Sequence, residues 1–181
     1  MDTTDIRKGL KMMIDGQPYS VIEFQFVKPG KGQAFTRLKA KNLMTGTVLE
    51  RTYKSGEALD PADVEERQME YIYPDGKDFV FMDSNTGEQL TVMGDRIGAD
   101  GKWLIDGLTV GITVFNGQAI SITLPTYVTL QVAEASGTGK QTKPVTLSTG
   151  AVIEAPLFIN EGDWVRVETE TGLYIERINR K

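Results

Sequence analysis

Lys28-Pro29-Gly30-Lys31-Gly32-Gln33 is the segment whose residue types and spacing could do chemistry. A proline and two glycines let the chain turn tightly, and the small neighbours leave the Lys31 amine unshielded at the tip. That amine is placed to reach a partner. Around it the usual catalytic side chains are missing: the chain has no Cys and no His, which removes thiol nucleophiles, imidazole bases and the common zinc ligands. No Asp or Glu pair forms a local acid–base constellation. A binder is expected, with no catalytic residue, no metal and no cofactor.

Charge narrows the partner. The 181 residues carry a net charge of −5, but residues 1–63 are net +2, residues 64–125 net −6 and residues 126–181 net −1. Lys28, Lys31, Arg37, Lys39 and Lys41 all fall between Glu23 and Glu50, an interval without an acidic residue. A local field of this sign attracts phosphate, while the acidic remainder limits indiscriminate sticking.

The elements that must carry the tip read as short strands and turns. Leu10–Ile14, Asp15-Gly16 and Tyr19–Phe26 form a hairpin signal, because Asp-Gly suits the left-handed geometry of a two-residue turn. Phe35–Leu43 returns from the lysine tip, Thr45-Gly46 turns, and Thr47–Lys54 comes back. In Phe35–Lys41 the two-residue period places Thr36, Leu38 and Ala40 on one face, and Phe35, Arg37, Lys39 and Lys41 on the other. The second face is mostly cationic and is a candidate RNA contact.

A boundary is expected near Ala58–Asp63, where alternation stops and Pro61 interrupts the ladder. Val64–Tyr73, Phe79–Asp83 and Glu88–Met93 then form a meander, with turns at Pro74-Asp75-Gly76 and Asn85-Thr86-Gly87. A polar or helical passage over Gly94–Lys102 leads to the hairpin Gly107–Phe115, Asn116-Gly117, Gln118–Leu124. A third series follows Pro125, with strands at Tyr127–Val132, Ala151–Ile153, Trp164–Glu168 and Leu173–Ile178. Even, short strands of this kind favour small barrels. The fold class is therefore all-β, with domains over 1–63, 64–125 and 126–181. At about 60 residues, each domain is near the lower limit for an independent core. Phe24, Phe26, Phe35, Phe79, Phe81, Phe115, Trp103 and Trp164 are expected in those cores or between domains rather than as base-stacking platforms. Ser136-Gly137-Thr138-Gly139-Lys140 lacks the spacing of a nucleotide-binding loop. Asp83–Glu88 is too short for a calcium loop and reads as a turn.

Several segments in order resemble bacterial elongation factor P: Lys28–Phe35, Leu43–Thr47, Glu50–Glu57, Tyr71–Gly76, Phe81–Asp83, Lys143–Ala151 and Thr171–Tyr174. The resemblance implies an SH3-like (KOW-like) first domain followed by two OB-fold domains, arranged as an elongated L that mimics transfer RNA. It implies a cytoplasmic, monomeric translation elongation factor that binds the ribosome between the P and E sites. There it promotes peptide bond formation at consecutive prolines by positioning the peptidyl-tRNA, without membrane association. Lys31 matches the family's tip lysine, which a lysine-modifying enzyme extends in many members. The implied tRNA and rRNA contacts are Lys28, Pro29, Gly30, Lys31, Gly32, Gln33, Arg37, Lys39 and Lys41, with Tyr174 and Arg177 near the carboxyl end. Ala133–Thr142 is shorter than is usual in the family and lacks its Gly-Asp-Thr element, leaving Gly137, Thr138, Gly139 and Lys140 as the loop's donors to mRNA or rRNA. A general single-stranded RNA-binding β-barrel is the alternative.

Overall fold

A computed structural model describes residues 1–179, so positions 180 and 181 of the third expected domain lie outside the described residues. The architecture is three five-stranded sheets with almost no helix. No helix among the described residues is long and apolar enough to cross a membrane.

The first sheet contains β1 (Lys11–Ile14), β2 (Gln17–Val27), β3 (Phe35–Asn42), β4 (Val48–Lys54) and β5 (Asp60–Pro61), in the order β4-β3-β2-β1-β5. Asp15 and Gly16, with φ of 51° and 80°, make the β1–β2 turn. Asp15 is tied to β4 by an Arg51 guanidinium at 2.8 Å. At the β3–β4 turn, buried Asn42 accepts from the backbone N–H groups of Met44 at 2.7 Å and Thr45 at 3.1 Å. The core beneath joins Ile6, Met12, Ile14, Tyr19, Val21, Leu38, Ala40 and Leu59. Pro61 does not end the ladder as its position suggested. It pairs with Met12 in β5 at the sheet edge, where a missing N–H costs no hydrogen bond.

The second sheet holds β6 (Val64–Asp75), β7 (Asp78–Met82), β8 (Gln89–Val92), β9 (Thr109–Phe115) and β10 (Gln118–Thr123), ordered β10-β9-β6-β7-β8. β6 runs through Pro74 and Asp75, which pair with Phe79 and Asp78, so the turn sits at Gly76-Lys77, later than expected. Asp83 caps the next turn, accepting from Asn85 and Thr86 N–H groups. The expected polar passage is the short helix α1 (Gly94–Ile97) followed by a 3-10 turn over Gly98–Trp103.

The third sheet, β13-β12-β11-β14-β15, is built from β11 (Tyr127–Glu134), β12 (Thr142–Leu147), β13 (Val152–Pro156), β14 (Trp164–Glu168) and β15 (Tyr174–Ile178). The strand β12, which contains Pro144, was not among the expected strands. Its core unites Val128, Leu130, Val132, Val145, Leu147, Ile153, Val165 and Val167 with Trp103 from the 3-10 turn. By compactness the chain separates into two units. One is Met1–Arg67 with Ile112–Ser121; the other is Gln68–Gly111 with the chain from Ile122 onward.

Candidate functional site

The lysine tip is the apex of the β2–β3 hairpin. The register pairs Glu23 with Lys39, Phe24 with Leu38, Gln25 with Arg37, Phe26 with Thr36 and Val27 with Phe35, which places Lys31 midway between every pair. β1 pairs with β2 only from Gln17 to Ser20, so residues 22–27 extend past it with β3 as their sheet neighbour. A bulge between Val21 and Glu23 marks the change. Bulges bend the bulged strand and increase its twist, here where β2 runs on past the end of β1.

Beyond the closing pair Val27 and Phe35, residues 28–34 form the loop. Lys31 is exposed and, like Lys28, makes no hydrogen bond or ion pair among the described residues. Gly32 has φ of 103°, a backbone state that side chains rarely adopt, whereas a Cβ on Gly30 would meet open space. One glycine therefore sets the turn and the other keeps the tip bare. The loop's base is fixed where the Ser55 N–H donates to the Ala34 carbonyl at 3.0 Å. Gln33 is exposed and Pro29 half-buried.

The outward face of β3 differs from its one-dimensional reading. Arg37 and Lys41 are exposed as expected, and Arg37 lies 5.8 Å from the Phe35 ring centroid. Lys39, however, donates to Glu23 Oε1 at 3.1 Å and stands opposite Glu50 of β4. The hydrogen bond and charge of Glu23, with the Glu50 field added, hold its ammonium above the ordinary lysine range. The face is thus mixed in charge. An interval free of acid along the chain becomes, once three strands pair, a lysine between two carboxylates.

Phe24 and Phe26 were expected to be buried and are not, with exposures of 47% and 59%. They belong to the part of β2 beyond β1, where no layer covers them. Phe81 and Trp103 are buried as expected.

At the carboxyl end, Tyr174 packs against the third core, and burial pushes its phenol up, opposed by Arg177. Arg177 is exposed and lies 5.5 Å from the centroid of the exposed Phe158 ring. The sequence gives no sign of that contact, since Phe158 comes from the loop after β13. The loop over Gly137-Thr138-Gly139-Lys140 leaves Lys140 exposed and folds its glycines against β12. A Cβ on Gly139 would lie 1.8 Å from the Thr142 carbonyl oxygen, so Gly139→Ala is expected to cost about 1–3 kcal/mol by forcing the backbone apart. Gly30→Ala should stay within about 0.5 kcal/mol. Thermal unfolding of the two variants checks the contrast.

Known structures share the fold over part of the chain. The chain aligns with eukaryotic translation initiation factor 5A from Methanococcus jannaschii at a TM-score of 0.55 and 23% identity, over 68% of this chain and 93% of that one. A translation initiation factor eIF-5A family protein from Naegleria fowleri aligns at a TM-score of 0.51 and 18% identity, over 68% and 96%. At this identity the fold alone is shared, so the class defined is a modular all-β protein, with further chain beyond the aligned part. Family models resolve the class: the elongation factor P KOW-like domain matches residues 2–59, its OB domain 64–122 and its C-terminal domain 126–177. Elongation factor P from Desulfatibacillum aliphaticivorans is 44% identical, covering 97% of both chains. That from Coprothermobacter proteolyticus is also 44% identical, covering 98% of this chain and 99% of its own. The chain belongs to the elongation factor P family and is a translation elongation factor.

Proposed function

We propose that the protein binds the ribosome between the P and E sites and speeds peptide bond formation at consecutive prolines by positioning the peptidyl-tRNA. Its domains act as three modules, 1–63, 64–125 and 126–181, and its site of action is the cytoplasm. Proline is a secondary amine in a ring of fixed φ, so prolyl substrates reach the reactive geometry infrequently. A factor that holds the reacting end in place lowers the entropic cost of alignment and needs no acid or base of its own.

The observation that carries this reading is the Lys31 ammonium, without a partner among the described residues, at the apex of the β2–β3 hairpin, whose loop 28–34 lies beyond the last strand pairs. Lys28, Pro29, Gly30, Gly32 and Gln33 shape the contact around it, with Arg37, Lys39 and Lys41 along the hairpin. Tyr174 and Arg177 serve as RNA contacts in the third domain, and the loop Gly137–Lys140 as a contact to mRNA or rRNA. The accessibility of the amine also suits covalent extension by a lysine-modifying enzyme, which intact-protein mass on natively produced material would reveal.

The test is reconstituted translation of a message encoding consecutive prolines, with and without the protein, beside a proline-free control. Selective acceleration of the proline message is expected; equal effects on both messages would reject the reading. In parallel, binding to free oligonucleotides should be weak at about 0.05–0.2 M salt. Tight, steeply salt-dependent binding would instead favour a general single-stranded RNA binder.

A further inference from the structure

Arg37, Lys39 and Lys41 recur at every second position of β3, so they stand about 6.6 Å apart along one face. A cationic row of this kind is what tracks the backbone of single-stranded nucleic acid. On this hairpin the row is broken at its middle rung. Glu23 of β2 and Glu50 of β4 flank Lys39 in register, one on each side, and Glu23 accepts its hydrogen bond at 3.1 Å. Arg37 and Lys41 carry no ion pair among the described residues.

Stability does not account for the rung. Lys39 and Glu23 side chains are 45% and 64% exposed, and ion pairs this open contribute little to folding. What the two carboxylates do change is the field a passing polyanion meets. Three cations with two carboxylates among them present a net charge near +1, and without the carboxylates near +3.

We propose that Glu23 and Glu50 are a built-in brake on RNA binding by the hairpin: they neutralise the middle of the β3 cation row. The outward face then does not hold single-stranded RNA by itself, and Lys28 and Lys31 stand at the tip, beyond the rung that the two carboxylates neutralise. The brake makes the hairpin selective, since contact must come from a partner shaped to reach the apex rather than from any phosphate chain. It operates in binding to free RNA and so stands or falls separately from the action at consecutive prolines.

The experiment is fluorescence anisotropy with a labelled oligouridylate, comparing the unsubstituted chain with Glu23→Gln/Glu50→Gln at low and moderate salt. Glutamine keeps the size of each side chain and removes its charge. The double variant should bind about tenfold more tightly near 0.05 M salt. Its dependence of log affinity on log salt should steepen by roughly 1.4, since each added phosphate contact on a single strand contributes about 0.7. Glu50→Gln alone, which leaves the Glu23 hydrogen bond in place, should give about a threefold gain, a check if the double variant proves poorly folded. Adding Lys39→Gln to the double variant should remove about half of the gain. Unchanged affinity and salt slope in both glutamine variants would overturn the proposal, as would a gain undiminished by loss of Lys39.

Discussion

Lys31→Ala is expected to leave the fold intact while reducing synthesis through consecutive prolines to the rate seen without the protein. The two halves of this expectation have separate physical grounds. Lys31 is exposed and makes no hydrogen bond or ion pair among the described residues, so its removal should change the unfolding free energy by no more than about 0.5 kcal/mol. Function is another matter, because truncation removes the charged side chain that stands at the apex itself. If the factor works by alignment, the loss is not graded: a hairpin that arrives without its amine holds nothing in place. Lys31→Arg refines the result. It keeps the charge but replaces a compact ammonium with a planar fork, so it should retain part of the activity at most. Reconstituted translation with each variant, alongside a thermal unfolding curve, gives both readouts. Full activity in Lys31→Ala would reject the mechanism.

Trp103→Ala should be the most destabilising single change, at about 3–5 kcal/mol. Trp103 is 1% exposed and lies at the end of the 3-10 turn, yet its ring belongs to the core formed by β11 to β14. The side of its six-membered ring lies 3.7 Å from where a Cβ on Gly172 would stand, an ordinary van der Waals contact with the turn before β15. Removing it opens a cavity in a core that small domains can ill spare. The expected result is a lower urea midpoint. Phe26→Ala, at a residue 59% exposed, should shift that midpoint by no more than about 0.5 kcal/mol. A Trp103→Ala protein as stable as the unsubstituted chain would mean that the ring fills no essential space.

Turn chemistry made much of the fold readable before any coordinates. Asp15-Gly16 and Asn116-Gly117 both adopt positive φ in two-residue hairpin turns, as their residue types require. The alternation in Phe35–Lys41 likewise assigned each side chain to its face, because a strand's period is two whatever it packs against. Proline was the misleading signal. Pro61 and Pro74 each suggested an interruption, and each lies in a strand. At an edge or an unpaired position the missing N–H is tolerated, and only the pairing scheme says which positions those are.

The lone amine at a glycine-flanked tip, the lack of thiol and imidazole, and the ordered family motifs were all determined by residue identity. Tertiary structure alone decided what stands beside what. It set Glu23 and Glu50 around Lys39, left Phe24 and Phe26 uncovered beyond the end of β1, and carried Trp103 into the third core. Local conformational preference acts over a few residues and is written in them directly. Cross-strand neighbours and burial depend on register and strand length, which arise only when distant segments meet.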